Sequence, residues 1–305
     1  MAMGFSFYFN YTAAMKLTPY ILVFSSLISF QANAKKEAVI AGYDNLALIG
    51  EEVSISVKAE RAKIFPFRTD LKKQDIHYYL GTRFLGKAVT KKEGVAKLKH
   101  RFNKKGLYKI KSIISPTSKY KADATDNRIL VADENSPILI TDVDHTIADI
   151  SGRDYLTTDD ELIPELSGAS KILNRLKSNF LILYVTARDD FFIKRSKFWL
   201  DYKAFPKGPT FFWDFGFWND VPSNHGEYKE ELIKKLKKKH KKILIGVGDK
   251  PHDMRAYRNN GLRAYYIGLP GFDLPKGTIK VKSWAQIEKH LKANPIGTLA
   301  FDPNP

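Results

Sequence analysis

Residues 136–146, SPILITDVDHT, decide the fold of the second half of the chain. The apolar run ILIT follows a turn residue, which predicts a short buried strand. Asp142 and Asp144 come directly after this run. Two carboxylates in such a place are costly unless a cation neutralises them, and oxygen ligands suit magnesium. The stretch therefore predicts a magnesium site at the carboxyl end of a buried strand.

The sequence on the C-terminal side of this stretch alternates between apolar runs and helical patterns. Further strands are predicted for FLILYVT (180–186), ILIGVGD (243–249) and RAYYIG (263–268), with helices over 166–178, 190–202 and 227–240. Continuous apolar strands that alternate with helices predict a parallel sheet covered by helices on both faces. Ligands of such sheets bind at the carboxyl ends of the strands.

The residues at these strand ends share one kind of chemistry. The second strand ends at Thr186, the third is followed by Asp249 and Asp253, and Lys229 opens the lysine-rich helix between them. A phosphoryl group needs a cation, a hydroxyl and a lysine for its oxygens, and a carboxylate can attack its phosphorus. We therefore expect a phosphoryl-transfer site at this edge of the sheet.

Four motifs in this order resemble those of the haloacid dehalogenase (HAD) superfamily of phosphohydrolases. They are DVDHT (142–146), Thr186, Lys229 and GDKPHD (248–253). YVTAR (184–188) and FPKGP (205–209) also resemble motifs of the lipin-type, LNS2-like phosphatidate phosphatases. The resemblance covers about residues 137–270. His145 stands where the family usually has Gly, and Asp249 where lipins carry Asn.

The resemblance implies a fold and a set of roles. The expected fold class is α/β, a Rossmann-like HAD parallel sheet flanked by helices and preceded by an all-β immunoglobulin-like sandwich. Asp142 would be the nucleophile and Asp144 the general acid and base. Thr186 and Lys229 would bind phosphoryl oxygens. Mg²⁺ would be held by Asp142, the backbone carbonyl of Asp144, Asp249 and, in support, Asp253.

Each of these residues also has a simpler structural interpretation. Asp142 and Asp144 suit a turn or a helix cap, Asp253 suits a cap, and Thr186 suits a strand as a β-branched residue. Lys229 belongs to a lysine run, and such runs are usually solvated faces. We favour the functional interpretation because the four motifs occur together and in order.

The first half of the chain has another pattern. The segment 52–60, EVSISVKAE, alternates apolar and polar residues, and five more short apolar segments follow with glycines beside them. This pattern predicts an antiparallel β-sandwich over 35–135, which weakly resembles bacterial immunoglobulin-like domains. We expect the phosphatase domain over 136–292 and a C-terminal tail over 293–305. The role of the sandwich stays open between a binding or spacing module and a solubilising domain.

The N-terminal segment and the composition bear on localisation. Residues 1–34 combine Lys16, an apolar run and Ala32-Asn33-Ala34, which predicts a signal peptide and an exported protein, periplasmic or secreted. An uncleaved anchor is the alternative, and Met15 is the better start for such a signal. The chain has no Cys, which excludes disulfides, thiolate metal sites and a cysteine nucleophile.

The net charge of +17 suggests an anionic partner without identifying it. Residues 35–135 carry +10 (22 basic, 12 acidic) and residues 136–305 carry +6 (27 basic, 21 acidic). The segments around the site are too short for a large lid, and an open site suits a large or membrane-bound substrate.

We therefore expect a phosphatidate-type phospholipid or another phosphomonoester as substrate, with peripheral contact to anionic membranes. Nucleic acid is not an expected partner. Two alternatives stay open: a non-catalytic phosphatidate-binding domain, and an exported nucleotide or polynucleotide phosphatase.

Overall fold

The computed structural model describes residues 35–61, 69–151, 154–213 and 225–296. The expected signal peptide, 1–34, lies outside the described residues, as do 297–305 of the expected tail. So does most of the aromatic-rich segment that follows Phe212. The helices of the described part are all too short or too polar to cross a membrane.

The first half of the described chain consists of ten strands. β3 alternates as expected, because Val53, Ile55, Val57 and Ala59 are all buried. The strands are β1 (Lys36–Gly42), β2 (Asn45–Leu48), β3 (Glu52–Arg61), β4 (Thr69–Asp70), β5 (Asp75–Leu80), β6 (Arg83–Val89), β7 (Val95–Arg101), β8 (Gly106–Ile114), β9 (Tyr120–Lys121) and β10 (Thr125–Ala132).

These strands form two sheets that share one apolar core. One sheet has the order β4-β3-β1-β9, with β7 also paired to β3, and the other has the order β2-β10-β8-β5-β6. Buried Ile55 of the first sheet and Ile110 and Ile129 of the second belong to the same cluster. The β2–β10 pair is parallel, which differs from the all-antiparallel expectation. The immunoglobulin-like assignment stays a prediction.

The second half is the expected α/β fold. Its strands are β11 (Ile138–Thr141), β12 (Leu181–Asp189), β13 (Thr210–Trp213), β14 (Ile243–Gly248), β15 (Arg263–Tyr266) and β16 (Ile279–Lys280). Its helices are α1 (Ala169–Leu176), α2 (Ile193–Tyr202), α3 (His225–Lys237), α4 (Pro251–Asn259) and α5 (Trp284–Ala293). Short 3₁₀ segments cover Asp154–Leu156, Asp160–Leu162 and Asp190–Phe192.

The six strands of this half form one sheet in the order β13-β12-β11-β14-β15-β16, and every pair is parallel. The first strand, β11, is therefore central, and the chain builds outward from it in both directions. Such an order places a ligand crevice between β11 and β14, at the carboxyl ends of the strands. The acidic motifs follow these two strands.

Several boundaries differ from expectation. The described part of α3 begins at His225, so Lys229 lies at least one turn inside this helix and not at its first residue. β12 continues beyond Thr186 to Asp189. The helix expected over 166–178 is shorter, because Gly168 adopts a left-handed conformation and immediately precedes α1. α5 and the edge strands β13 and β16 were not anticipated.

The β-rich half packs directly against the parallel sheet. Leu46 and Leu130 of the second β-sheet belong to one apolar cluster with Ile140 and Leu183 of the parallel sheet. The described residues from Glu37 onward accordingly belong to one compact unit. The proposed division at 135–136 stays a prediction, because apolar contacts run across it.

Candidate active site

The turn after β11 presents Asp142 at the sheet edge. The four residues of β11 are buried, and the Asp142 backbone N–H donates to the Val247 carbonyl of β14 at 2.9 Å. The Val143 carbonyl then accepts from the N–H groups of residues 146, 147 and 148. This tight turn places His145 at φ 53, in the left-handed region that favours glycine. The family preference for Gly here thus has a conformational cause.

Asp142 is paired with the lysine expected from the sequence. The Lys229 Nζ lies 2.8 Å from Asp142 Oδ1 and 2.7 Å from Asp253 Oδ1. The Lys229 side chain is only 2% exposed, and Asp253 is fully buried. A buried lysine between two carboxylates is not a solvated face, in contrast to the exposed Lys234 and Lys235 of the same helix. The structure therefore excludes the simpler interpretation of Lys229.

The end of β14 brings Asp249 and Asp253 to the same edge. Asp253 Oδ2 accepts from the Lys250 backbone N–H at 3.2 Å, so Asp253 also caps α4. A Cβ at Gly248 would lie 2.7 Å from the Asp253 Cβ, so only glycine allows this close approach. The glycine of the Gly-Asp-x-x-x-Asp motif is therefore required by packing at the site.

Asp144 faces a different partner. The Arg188 guanidinium binds its carboxylate in a bidentate manner, with Nη2 2.7 Å from Oδ1 and Nε 3.0 Å from Oδ2. Arg188 Nη1 also donates to Ser196 Oγ at 2.9 Å, and its Cζ lies 3.7 Å from the centre of the Tyr155 ring. Asp144 is thus held by an arginine that is itself fixed on two further sides.

Thr186 lies on β12 beside these groups and is fully buried. Its Oγ accepts from the Arg188 backbone N–H at 3.1 Å. Arg188 therefore contacts Thr186 through its backbone N–H and Asp144 through its guanidinium group. Arg188 is the last residue of the quoted motif YVTAR (184–188), but the sequence analysis assigned it no role. Its membership of that motif was the available signal.

The acid cluster holds three carboxylates, Asp142, Asp249 and Asp253, around one buried lysine, Lys229. Burial raises the pKa of Asp142 to about 8, and the nearby Asp253 and Asp249 carboxylates add to this rise, while Lys229 opposes it. Burial lowers the pKa of Lys229, but Asp142 and Asp253 more than compensate, so this pKa lies well above its ordinary value. Lys229 is therefore charged, and burial, reinforced by the neighbouring carboxylates, disfavours ionisation of Asp142.

The donor set fits a hard cation. Asp142, Asp249 and Asp253 each offer a carboxylate oxygen, and these oxygens lie within 4.8 Å of one another. Asp249 Oδ1 is buried and has no hydrogen-bond partner among the described residues, whereas Oδ2 lies 2.6 Å from Lys250 Nζ. A buried carboxylate oxygen without a donor is costly, and a cation would satisfy it. The Asp144 side chain is not part of this group.

The structure thus brings all six expected side chains into two groups at this edge of the sheet. Lys229, Asp142, Asp249 and Asp253 form one group, while Thr186 is connected through Arg188 to Asp144. The residues that sequence analysis left without a role are Arg188, Lys250, Tyr155 and Ser196. Arg188 and Lys250 lie within the quoted motifs YVTAR and GDKPHD but were given no role, whereas Tyr155 and Ser196 lie outside all quoted motifs.

Part of the chain is similar to a known protein family. Residues 139–268 match the family model described as PITM 1-3, LNS2 domain. No curated protein matches the chain.

Solved structures resemble the chain at low identity. D,D-heptose 1.7-bisphosphate phosphatase from B. bronchiseptica, complexed with magnesium and phosphate, is 14% identical over 51% of this chain and 97% of that chain, with a TM-score of 0.39. A haloacid dehalogenase-like hydrolase from Streptococcus pneumoniae is 12% identical over 51% and 98%, with a TM-score of 0.37. The CARDB domain of a Pyrococcus furiosus protein is 11% identical over 32% and 86%, with a TM-score of 0.23.

The matched residues 139–268 include the two acid motifs, Thr186 and Lys229. The parallel sheet places these motifs at one edge, in the arrangement that the HAD superfamily resemblance implied. The expectation of a lipin-type, LNS2-like domain is therefore confirmed. Residues 139–268 thus match an LNS2 domain, and this stretch carries the acid cluster at the carboxyl edge of the sheet.

Proposed function

We propose that the protein is an exported, Mg²⁺-dependent phosphomonoester hydrolase whose substrate is phosphatidate or a related phospholipid. One observation carries the catalytic part of this proposal: Lys229, Asp142, Asp249 and Asp253 form one buried cluster at the carboxyl edge of the sheet. Such a cluster can hold a cation beside a nucleophilic carboxylate and a fixed positive charge.

The first chemical step uses Asp142 and Asp144. An Asp142 carboxylate oxygen attacks phosphorus, the bond between phosphorus and the leaving alcohol oxygen breaks, and Asp144 donates a proton to that oxygen. The product is an aspartyl-phosphate on Asp142. Lys229 Nζ and the hydroxyl hydrogen of Thr186 bind phosphoryl oxygens, because Thr186 Oγ already accepts from Arg188 and its O–H can donate.

The second step returns Asp142 to its starting form. Asp144, now ionised, takes a proton from water as the water oxygen attacks phosphorus, and the bond between phosphorus and Asp142 breaks. Bound at Asp142, Asp249, Asp253 and the Asp144 carbonyl, Mg²⁺ would supply positive charge that reduces repulsion between the carboxylates and the phosphate. The buried Asp249 Oδ1, which has no hydrogen-bond partner among the described residues, supports the assignment of these residues as ligands of the ion.

A phosphatase panel with the full chain tests this proposal. We expect phosphate release from dioctanoyl phosphatidate with Mg²⁺, none after chelation, and loss of at least about a thousandfold in Asp142→Asn, which removes the nucleophile. Asp149→Asn is the matched control, because Asp149 is an exposed carboxylate of the same turn region. Unchanged turnover in Asp142→Asn would contradict the mechanism.

Other outcomes identify the alternatives. Faster release from nucleoside monophosphates than from phosphatidate would indicate the nucleotide phosphatase. Binding to phosphatidate vesicles without hydrolysis of any phosphomonoester would indicate the lipid-sensing domain. Mass spectrometry of protein recovered outside the cytoplasm tests export and cleavage after Ala34.

A further inference from the structure

The connection between β15 and β16 exposes two large apolar side chains. In this segment, residues 267–278, here called the rim loop, Leu269 is 74% exposed and Phe272 is 47% exposed. Single exposed apolar residues are ordinary, but two in one short loop beside a functional site indicate a contact surface. The question is what this surface contacts.

The rim loop begins directly against the candidate site. The Ile267 N–H donates to the Gly248 carbonyl at 3.0 Å, and a Cβ at Gly268 would lie 2.2 Å from the Asp249 carbonyl oxygen. The Tyr266 hydroxyl donates to the Leu269 carbonyl at 2.7 Å. Leu269 is therefore one residue away from a position that touches the backbone of a proposed cation ligand.

The rim loop is anchored on both sides of its exposed part. Leu274 packs against the apolar cluster between the parallel sheet and its helices. Near the end of the loop, Thr278 Oγ donates to the Pro275 carbonyl at 2.8 Å. Because these contacts fix the backbone, Leu269 and Phe272 are presented outward and are not packed onto the protein.

Lysines border this apolar surface. Lys276 is exposed within the loop, and Lys280 and Lys282 are exposed at and just after the carboxyl end of β16. β16 is parallel to β15, so its carboxyl end lies at the same sheet edge as the site. The loop also carries one exposed carboxylate, Asp273, so the exposed charge of this stretch is net positive. Exposed apolar side chains together with a net positive charge match the boundary of an anionic bilayer, where acyl chains lie beneath phosphate headgroups. A second copy of this surface would bring like charges together.

We propose that the rim loop docks the enzyme on an anionic bilayer. Leu269 and Phe272 enter the acyl boundary, Lys276, Lys280 and Lys282 meet headgroup phosphates, and the adjacent site receives a phosphomonoester headgroup without extracting the lipid. This inference rests on the proposed phospholipid substrate and adds the surface through which that substrate is reached. It also explains why the exposed Leu269 directly follows Gly268, which packs on the backbone of Asp249.

The test compares two double variants with the full-length protein. Leu269→Asp with Phe272→Asp changes the rim loop. Leu162→Asp with Phe198→Asp is the matched control, since Leu162 is 71% and Phe198 45% exposed. Phe198 lies on α2, the helix that runs away from the carboxyl edge of the sheet. Leu162 lies near the far end of this helix, because the carbonyl of the preceding Glu161 accepts a hydrogen bond from Lys203, which follows α2. The pairs therefore match in residue type, exposure and added charge.

Two measurements are made on vesicles of phosphatidylcholine with a minority of phosphatidate. One is co-sedimentation, and the other is the ratio of phosphate release from vesicles to release from soluble dibutanoyl phosphatidate. We expect the rim-loop variant to lose about tenfold or more in both, because it replaces apolar contact with charge repulsion. The control variant should stay within about twofold of the wild type.

The outcomes separate this inference from the proposed function. Equal loss in both variants, no loss in the rim-loop variant, or a change in oligomeric mass only in that variant would overturn the docking surface. If the wild type hydrolyses no phosphatidate, the proposed substrate fails, but co-sedimentation still decides whether Leu269 and Phe272 contact the bilayer.

Discussion

At the residue scale, the least anticipated group is Arg188. Its bidentate contact with Asp144, its bond to Ser196 and its stacking on Tyr155 leave the proposed general acid with a fixed orientation. Burial lowers the pKa of Arg188, but the Asp144 carboxylate raises it on balance above its ordinary value. Arg188 is therefore charged throughout the working pH range and acts on the reaction through Asp144.

This contact predicts a dependence on the leaving group. Arg188→Gln should lower turnover of an alkyl phosphate by about tenfold to a hundredfold, because a misplaced Asp144 protonates the leaving oxygen poorly. Turnover of para-nitrophenyl phosphate should fall much less, since its leaving group needs no proton. Arg188→Lys should recover part of the loss. Equal losses for both substrates would indicate a purely structural role.

Asp249 Oδ1, which is buried without a hydrogen-bond partner among the described residues, predicts an effect of Mg²⁺ that can be measured without enzyme turnover. Mg²⁺ should raise the thermal unfolding midpoint of the wild type by about a few degrees, because an ion that binds only the native state stabilises it. Asp249→Leu should abolish this shift, whereas Asp249→Asn, which keeps an amide oxygen, should retain part of it. Differential scanning fluorimetry with and without Mg²⁺ measures the shift, and a full shift in Asp249→Leu would exclude Asp249 as a ligand.

At the element scale, an ion pair joins α1 to α5 on one side of the sheet. Arg175 contacts Glu288 through two bonds, of 2.7 Å from Nε and 2.6 Å from Nη2. The hydrogen bond from Arg175 lowers the pKa of Glu288 below its ordinary value. A carboxyl whose pKa is lowered by folding stabilises the native state above its unfolded pKa and loses this effect as the pH falls through its folded value.

Glu288→Gln should therefore lower the free energy of unfolding at neutral pH by about 1 kcal/mol, a figure reduced by the partial exposure of Arg175. The difference from wild type should shrink as the solution is acidified below the folded pKa of Glu288. Urea unfolding at both pH values measures it. A difference that stays constant on acidification would assign the effect to packing and not to charge.

The elements also show what sequence could and could not predict. β11, β12 and β14 were readable because they are continuous apolar runs buried on both faces, and the site acids follow from their ends. β13 and β16 are short edge strands, and α5 has a mixed polar face, so their patterns are weak. The described part of α3 begins at His225, two residues before the expected start at 227.

The same limit applies to individual contacts. The sequence placed Lys229 near the acids, but not its burial between Asp142 and Asp253, since its neighbours in the chain are exposed lysines. The bond between Arg188 and Asp144 depends on how β12 lies beside β11, which is tertiary information. Motif order therefore predicted the members of the site, while register and helix packing decide their partners.

At the scale of the whole molecule, charged groups are buried where the β-rich half meets the α/β half. Asp44 Oδ1 lies 2.5 Å from Lys197 Nζ of α2, and Asp44 Oδ2 accepts from the Thr210 N–H at 2.9 Å. Asp190, which directly follows β12, is bound by the Tyr43 hydroxyl at 2.5 Å and by Lys58 at 3.3 Å. The β-rich half thus holds the strand that carries Thr186 and Arg188.

Asp44→Asn should destabilise both halves together by about 3–5 kcal/mol, because it leaves Lys197 buried without its carboxylate. Asp123→Asn is the matched control, since Asp123 also pairs with a lysine of α2, Lys194, but in an exposed contact. It should give no measurable change. Chemical unfolding followed by circular dichroism and tryptophan fluorescence should show one coincident transition, and two separated transitions would contradict the coupling.

The central position of β11 in the sheet has a consequence for folding during translation. Asp142 and Asp249 are neighbours in space, yet the ribosome makes them far apart in time, because β12, β13 and α3 come between them. A nascent chain therefore carries its nucleophile long before it has the rest of the acid cluster. The acid cluster can therefore form only after β14 has been synthesised and has paired with β11.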